Sequence, residues 1–193
     1  HPGIISRTTF DSRNSITSTV NTPLLDSPYD TQPAEIGVYL YVVNNVRVGV
    51  TTNPAAKNNF RFLKTGIYGI AAEYEVYNND FRNNVPNGWA IVNTKSSKMI
   101  AGGNLANQPN NFQNISNGIS HTSSSDLSVT DNTFTNINPQ GFLFDPSTAI
   151  YTFECNNATI ELSKNQLNNV VNGFYHLKNS YTTYYVAYNT FNT

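Results

Sequence analysis

Six aromatic or leucine anchors recur along this chain, each with an asparagine two residues ahead: Asn58 and Phe60, Asn79 and Phe81, Asn110 and Phe112, Asn132 and Phe134, Asn165 and Leu167, Asn189 and Phe191. The anchors are 21, 31, 22, 33 and 24 residues apart, so a unit of 21 to 24 residues recurs and twice carries an insertion of about ten. A unit of that length restricts the chain to a stack of similar coils, each burying its apolar face against the next. A second asparagine follows four anchors, at Asn83, Asn114, Asn136 and Asn169. A glycine with a large apolar neighbour trails the anchors at Gly66-Ile67, Gly88-Trp89, Gly118-Ile119, Gly141-Phe142 and Gly173-Phe174, and Gly37-Val38 continues that series upstream.

The short-range period decides what each coil is made of. Tyr74-Glu75-Val76, Leu127-Ser128-Val129 and Ile160-Glu161-Leu162 alternate apolar and polar residues, the two-residue period of a half-buried strand. No window shows a helical stripe. Each unit therefore reads as three short strands: one at the glycine pair, one at the alternating triplet, one through the anchor. The asparagine between the second and third strands is expected to sit in a sharp turn, where Asn tolerates the left-handed conformation. Stacked about 4.8 Å from its counterpart in the next coil, its amide can also hydrogen-bond up and down the stack. Asn58, Asn79, Asn110, Asn132, Asn165 and Asn189 are thus expected to form a structural ladder.

The pattern apolar-x-apolar-x-x-Asn-x-Phe-x-Asn, with its following Gly-Ile, resembles the right-handed parallel β-helix repeats of the pectin-lyase-like superfamily. The resemblance covers residues 36–193; residues 1–35 match poorly and are expected to form an N-terminal coil or loop. It implies an all-β, right-handed solenoid of secreted or surface type. It implies little about chemistry, since that superfamily spans lyases, hydrolases, tailspikes, adhesins and surface proteins without activity.

Charged residues make up 12% of the chain and the net charge is −1, which gives no electrostatic case for a nucleic acid or an anionic membrane as partner. No apolar run is long enough for membrane insertion as a helix. The sequence stops partway through a unit, whereas a solenoid needs covered ends, so further coils or domains of a longer chain are expected beyond both ends. Cys155 has no internal partner and is expected to be a buried small residue. Asn114-Ile115-Ser116 and Asn157-Ala158-Thr159 match the N-glycosylation pattern, as chance allows in so asparagine-rich a chain.

The repeat register sorts the candidate chemistry into columns. His121 and His176 each lie three residues after a unit's glycine and are expected inside, two rungs or about 9.6 Å apart, with Phe144 between them. That separation excludes a shared metal ion. Glu75 and Glu161 fall in one outward column three rungs apart, about 14 Å, beyond the roughly 5 to 9.5 Å of glycosidase carboxylate pairs. Glu73 and Glu75 share a strand face without an obvious basic partner, and Asp80 and Asp131 are expected to shape turns. Neither a catalytic constellation, nor a metal site, nor a cofactor motif is recognisable.

Aromatic residues supply the binding candidates. Tyr39, Tyr68 and Tyr175 each follow a unit's glycine by two residues and should point outward, while Trp89 is expected in the core. An exposed ring can cover the apolar side of a pyranose while Asn and Thr meet its hydroxyl groups. Insertions at about residues 93–109, with Lys95 and Lys98, and at about residues 146–158 are expected to leave the solenoid on one side and to flank a site. The sequence thus points to a secreted or cell-surface stalk or adhesin-like module that binds polysaccharide or cell-surface glycans, exported with the help of a secretion machinery. The alternatives are part of a polysaccharide lyase or glycoside hydrolase, and a passive structural spacer.

Overall fold

The computed structural model describes residues 3–5, 9–11, 36–53, 55–84, 86–105, 108–138 and 147–193. They form an all-β solenoid of three parallel sheets that the chain visits in strict rotation. Sheet I stacks β1 (Gly3–Ile5), β4 (Val46–Val48), β7 (Glu73–Val76), β10 (Lys98–Ala101), β13 (Asp126–Thr130), β16 (Thr159–Ser163) and β19 (Thr183–Ala187). Sheet II stacks β2 (Thr9–Asp11), β5 (Asn58–Arg61), β8 (Asn79–Arg82), β11 (Asn111–Ile115), β14 (Thr133–Ile137), β17 (Gln166–Val170) and β20 (Thr190–Asn192). Sheet III stacks β3 (Ile36–Tyr41), β6 (Thr65–Ile70), β9 (Trp89–Thr94), β12 (Asn117–Thr122), β15 (Thr148–Phe153) and β18 (Asn172–Leu177). Sheet I holds the alternating triplets, sheet II the anchors and sheet III the glycine-led strands.

The anchors form one column. Phe60, Phe81, Phe112 and Phe134 are fully buried, with ring centroids 4.7, 5.0 and 4.5 Å apart and planes within 12° of parallel. Each stacked pair adds about 1 kcal/mol to the area it buries. The stack of strands reaches further upstream than the asparagine pattern shows, because β2 pairs with β5 and β1 pairs with β4. The rest of residues 1–35 lies outside the described residues.

Beside the anchors, each amide donates to the next across the series Asn58, Asn79, Asn110, Asn132, Asn165 and Asn189, at 2.8, 3.0, 3.0, 3.3 and 3.0 Å. From Asn79 to Asn165 the backbone N–H also donates to the following carboxamide oxygen, so one acceptor serves two donors. The expected left-handed turn falls elsewhere. Positive φ belongs to the residue just before the ladder, at Asn78, Asp131, Lys164 and Tyr188, and to the second asparagines Asn83, Asn114, Asn136 and Asn169. The ladder asparagines stay out of that region because their amides must project inward along the stack; the bend is taken by neighbours, of which Asn136 donates to Asn114 and Asn169 to Asn136, at 2.8 and 2.9 Å.

Sheet III departs from the expected register in two coils. Trp89 pairs with Thr65 and Asn117, and Ile91 with Ile67 and Ile119, which sets Ala90 rather than Gly88 opposite Gly66 and Gly118. Two coils on, Ile150 aligns with Ile119 and Phe174, so Ala149 takes the small position, and Gly141-Phe142 lies outside the described residues. The position is tight: a Cβ on Gly118 would stand 2.3 Å from the Ala149 carbonyl oxygen. Trp89 is consequently half-buried and leans on Tyr151, 6.1 Å between rings, instead of joining the core.

The insertions move with the register. Met99-Ile100-Ala101 pairs with Tyr74-Glu75-Val76 and with Leu127-Ser128-Val129, so the first insertion is only residues 102–109, at the corner between sheets I and II. The second lies before β15, between sheets II and III, and residues 139–146 of it are outside the described residues. The two leave the solenoid from different corners.

Candidate functional site

Tyr39, Tyr68 and Tyr175 fall in one column on the outer surface of sheet III, which runs Tyr39, Tyr68, Val92, Ser120, Tyr151, Tyr175 across the rungs. A parallel column two residues on holds Tyr41, Ile70, Thr94, Thr122, Phe153 and Leu177. Strand alternation puts both columns outside while Val38, Ile67, Ile91, Ile119 and Ile150 fill the core beneath. Tyr39, Tyr41 and Tyr175 are 54, 60 and 44% exposed.

The aromatic residues gather at the two ends of this surface. Tyr39 lies 5.8 Å from Tyr68 and 6.3 Å from Tyr41 between ring centres, and Tyr151 lies 5.8 Å from Tyr175 and 6.3 Å from Phe153. Between them the surface drops to Val92, Thr94, Ser120 and Thr122. A depression of about 280 Å³, lined by Ile36, Lys64, Thr65, Tyr68 and Val92, adjoins the first cluster. Sequence reasoning missed Tyr151 because Ala149 stands where its coil's glycine was sought.

Sheet III is also free of charge. Its six strands contain no Asp, Glu, Lys or Arg. Charges return at its corners, where Lys178 Nζ stands 5.4 Å from the centre of the Phe153 ring.

The other candidates lie apart from this surface. Lys95 is exposed, with φ 55°, in the turn leading from sheet III to sheet I. Lys98 is on sheet I, in register between Glu73 and Asp126, so its charge faces carboxylates on both neighbouring rungs. Glu75 does have a basic partner: Arg47 on the preceding rung grips one carboxylate oxygen through Nε at 2.8 Å and Nη2 at 2.7 Å. The pairing spans 28 residues of sequence and shows only once β4 and β7 are in register. Asp80 is engaged by Arg82 and accepts from Asn111 Nδ2 at 2.7 Å. Glu75 and Glu161 are three rungs apart, with Ile100 and Ser128 between.

His121 is fully buried and held from both sides. Its Nδ1 accepts from Asn93 Nδ2 at 2.8 Å and its Nε2 donates to the Ser125 carbonyl at 3.1 Å, the arrangement of a neutral imidazole. Burial pulls its pKa down to about 4. Thr152, not an aromatic ring, separates it from His176 in the column, because the coil's strand begins later than its glycine suggested; Phe144 is outside the described residues. His176 is exposed and accepts from Thr152 Oγ1 at 2.7 Å. Among the described residues no three His, Cys, Asp or Glu side chains come together as a metal site.

Cys155 belongs to a second ladder that sequence reasoning missed, at the corner between sheets III and I. There Ser96 Oγ accepts from Ala72 N, Ser124 Oγ from Ser96 N and Asn179 Oδ1 from Cys155 N, at 3.2, 3.0 and 2.7 Å. The Cys155 sulfur completes the series by accepting from the Ser124 N–H, and its thiol donates to the His121 carbonyl at 3.3 Å. Burial pushes its pKa up, so it stays a thiol.

No family model, curated protein or solved structure matches the chain.

Proposed function

We propose that this solenoid is a glycan-binding module of a secreted or cell-surface protein and that the outer surface of sheet III is its binding face. The observation that carries the reading is the composition of that face: exposed tyrosines in register, threonine hydroxyls between them, and no Asp, Glu, Lys or Arg in its strands. Sugars present an apolar ring face bordered by hydroxyl groups, and tyrosine with threonine answers both. The reading extends to the pectin-lyase-like kinship suggested by the repeat pattern and to a right-handed winding, the hand that crossover connections between parallel strands almost always take.

The test is a panel of immobilised polysaccharides scored in the same wells for retention of the protein and for release of new chain ends. Retention without release, weakened by Tyr39→Ala or Tyr175→Ala, is the expected result. Release of chain ends would instead make the chain a lyase or hydrolase.

A further inference from the structure

The relief of sheet III says more about the ligand than that it is a glycan. Tyr68 and Tyr151 occupy one outward column with Val92 and Ser120 between them, so the two aromatic clusters face each other across three rungs, about 14 Å. The floor of the saddle carries the partly exposed hydroxyl groups of Thr94 and Thr122, with Ser120 buried between the walls. A disaccharide touches one wall only, whereas a longer chain laid across the rungs reaches both and meets the hydroxyl floor on the way.

From this relief and the absence of charge we infer that the ligand is an uncharged glycan chain, seated along the solenoid axis and long enough to bridge the Tyr39–Tyr41–Tyr68 and Tyr151–Phe153–Tyr175 clusters. The inference rests on the glycan-binding reading and adds ligand charge, direction and minimum length to it. A polyuronate or sulfated glycan would bring an anion at nearly every residue, whereas the cations near the seat, Lys64 beside Tyr68 and Lys178 beside Phe153, stand at its two ends and leave the strands between the walls without one, where burying anions unpaired is costly. A neutral chain loses nothing there.

The experiment titrates the purified chain with neutral oligosaccharides, di- to hexasaccharide, derived from mannan, xylan and mixed-linkage β-glucan, and with polygalacturonate and chondroitin sulfate fragments of the same lengths. Binding of a neutral series that strengthens steeply once both walls are spanned, and is unchanged in high salt, is expected. Tyr68→Ala and Tyr151→Ala should each weaken the hexasaccharide roughly tenfold, while the Phe variants, which keep the ring, restore most of the loss. Both side chains leave the core, so circular dichroism should be unaltered. Salt-sensitive binding of the anionic fragments alone would overturn the inference and leave the glycan reading standing. A disaccharide bound as tightly as the hexasaccharide, or alanine variants without effect on it, would overturn the bridging seat. Failure to bind any glycan, with a self-association that Tyr151→Ala abolishes, would overturn both.

Discussion

Acidification should unlock this solenoid from one buried histidine. His121 is fully buried, neutral, and fixed between Asn93 and the Ser125 carbonyl, with its pKa lowered from 6.5 to about 4 by burial. Because the folded value is the lower one, the unfolded chain binds the extra proton between pH 6.5 and 4, and stability falls as pH drops through that window. At 1.36 kcal/mol per pKa unit the limiting loss is about 3 kcal/mol, of which about 2 kcal/mol accrues between pH 7 and pH 5. The control is His121→Asn, which places in the column the residue its neighbouring rung already holds at Asn93. Urea titrations of both proteins at pH 7 and pH 5 isolate the histidine, since every other titrating group is common to the two. Wild type should lose about 2 kcal/mol more than the variant over that interval. Equal losses would refute the argument, as would a His121 imidazole that takes up a proton above pH 6 in the folded protein by NMR.

Three further perturbations read other parts of the stack. Asn132→Ala removes the acceptor of Asn110 N and Nδ2 and the donor to Asn165, leaving several buried groups unpaired, and should cost about 4 kcal/mol by denaturation, whereas Asn189→Ala at a part-buried rung should cost about 1. Phe112→Ala opens a hole in the middle of the ring column and should cost about 4 kcal/mol, with a loss of cooperativity detectable as a broadened transition. Cys155→Ser keeps both the acceptor for Ser124 N and a donor for the His121 carbonyl and should be within about 1 kcal/mol of wild type, while Cys155→Ala should cost more; the wild-type thiol should react with a disulfide reagent only in denaturant.

The parts of the fold that sequence reasoning recovers are those where one residue type has no substitute. An amide that donates and accepts along the stack can only be Asn or Gln, so Asn79, Asn110, Asn132 and Asn165 keep their letter, and the flat anchor beside them is nearly always Phe. Where several side chains satisfy the same need, the signal fades. The small position of sheet III accepts Ala90 and Ala149 as well as Gly66 and Gly118, so the glycine pattern sets two coils in the wrong register, misplaces Trp89 and misses Tyr151. The corner ladder uses Ser96, Ser124, Cys155 and Asn179, four rungs with three chemistries and one shared requirement, an acceptor for the N–H of the preceding rung. The Arg47–Glu75 pair depends on which strands are neighbours, which no local pattern contains.

The candidate face owes its character to an exclusion that the chain's low charge does not account for. Strands of sheet I carry Arg47, Glu73, Glu75, Lys98, Asp126 and Glu161, and those of sheet II carry Asp11, Arg61, Asp80 and Arg82, while sheet III, with longer strands than either, carries none. Sheet II carries Arg61, Asp80 and Arg82 at outer positions that are themselves only partly exposed or buried, so limited exposure alone does not keep charge off sheet III. A face that must meet uncharged sugar does. Thr122→Lys separates the two explanations: on a partly exposed outer position it should change stability by no more than about 0.5 kcal/mol, yet it sets a hydrated ammonium on the floor of the saddle and should weaken binding of a neutral hexasaccharide at least tenfold. If affinity is untouched while the fold is kept, sheet III lacks charge for some reason other than its ligand.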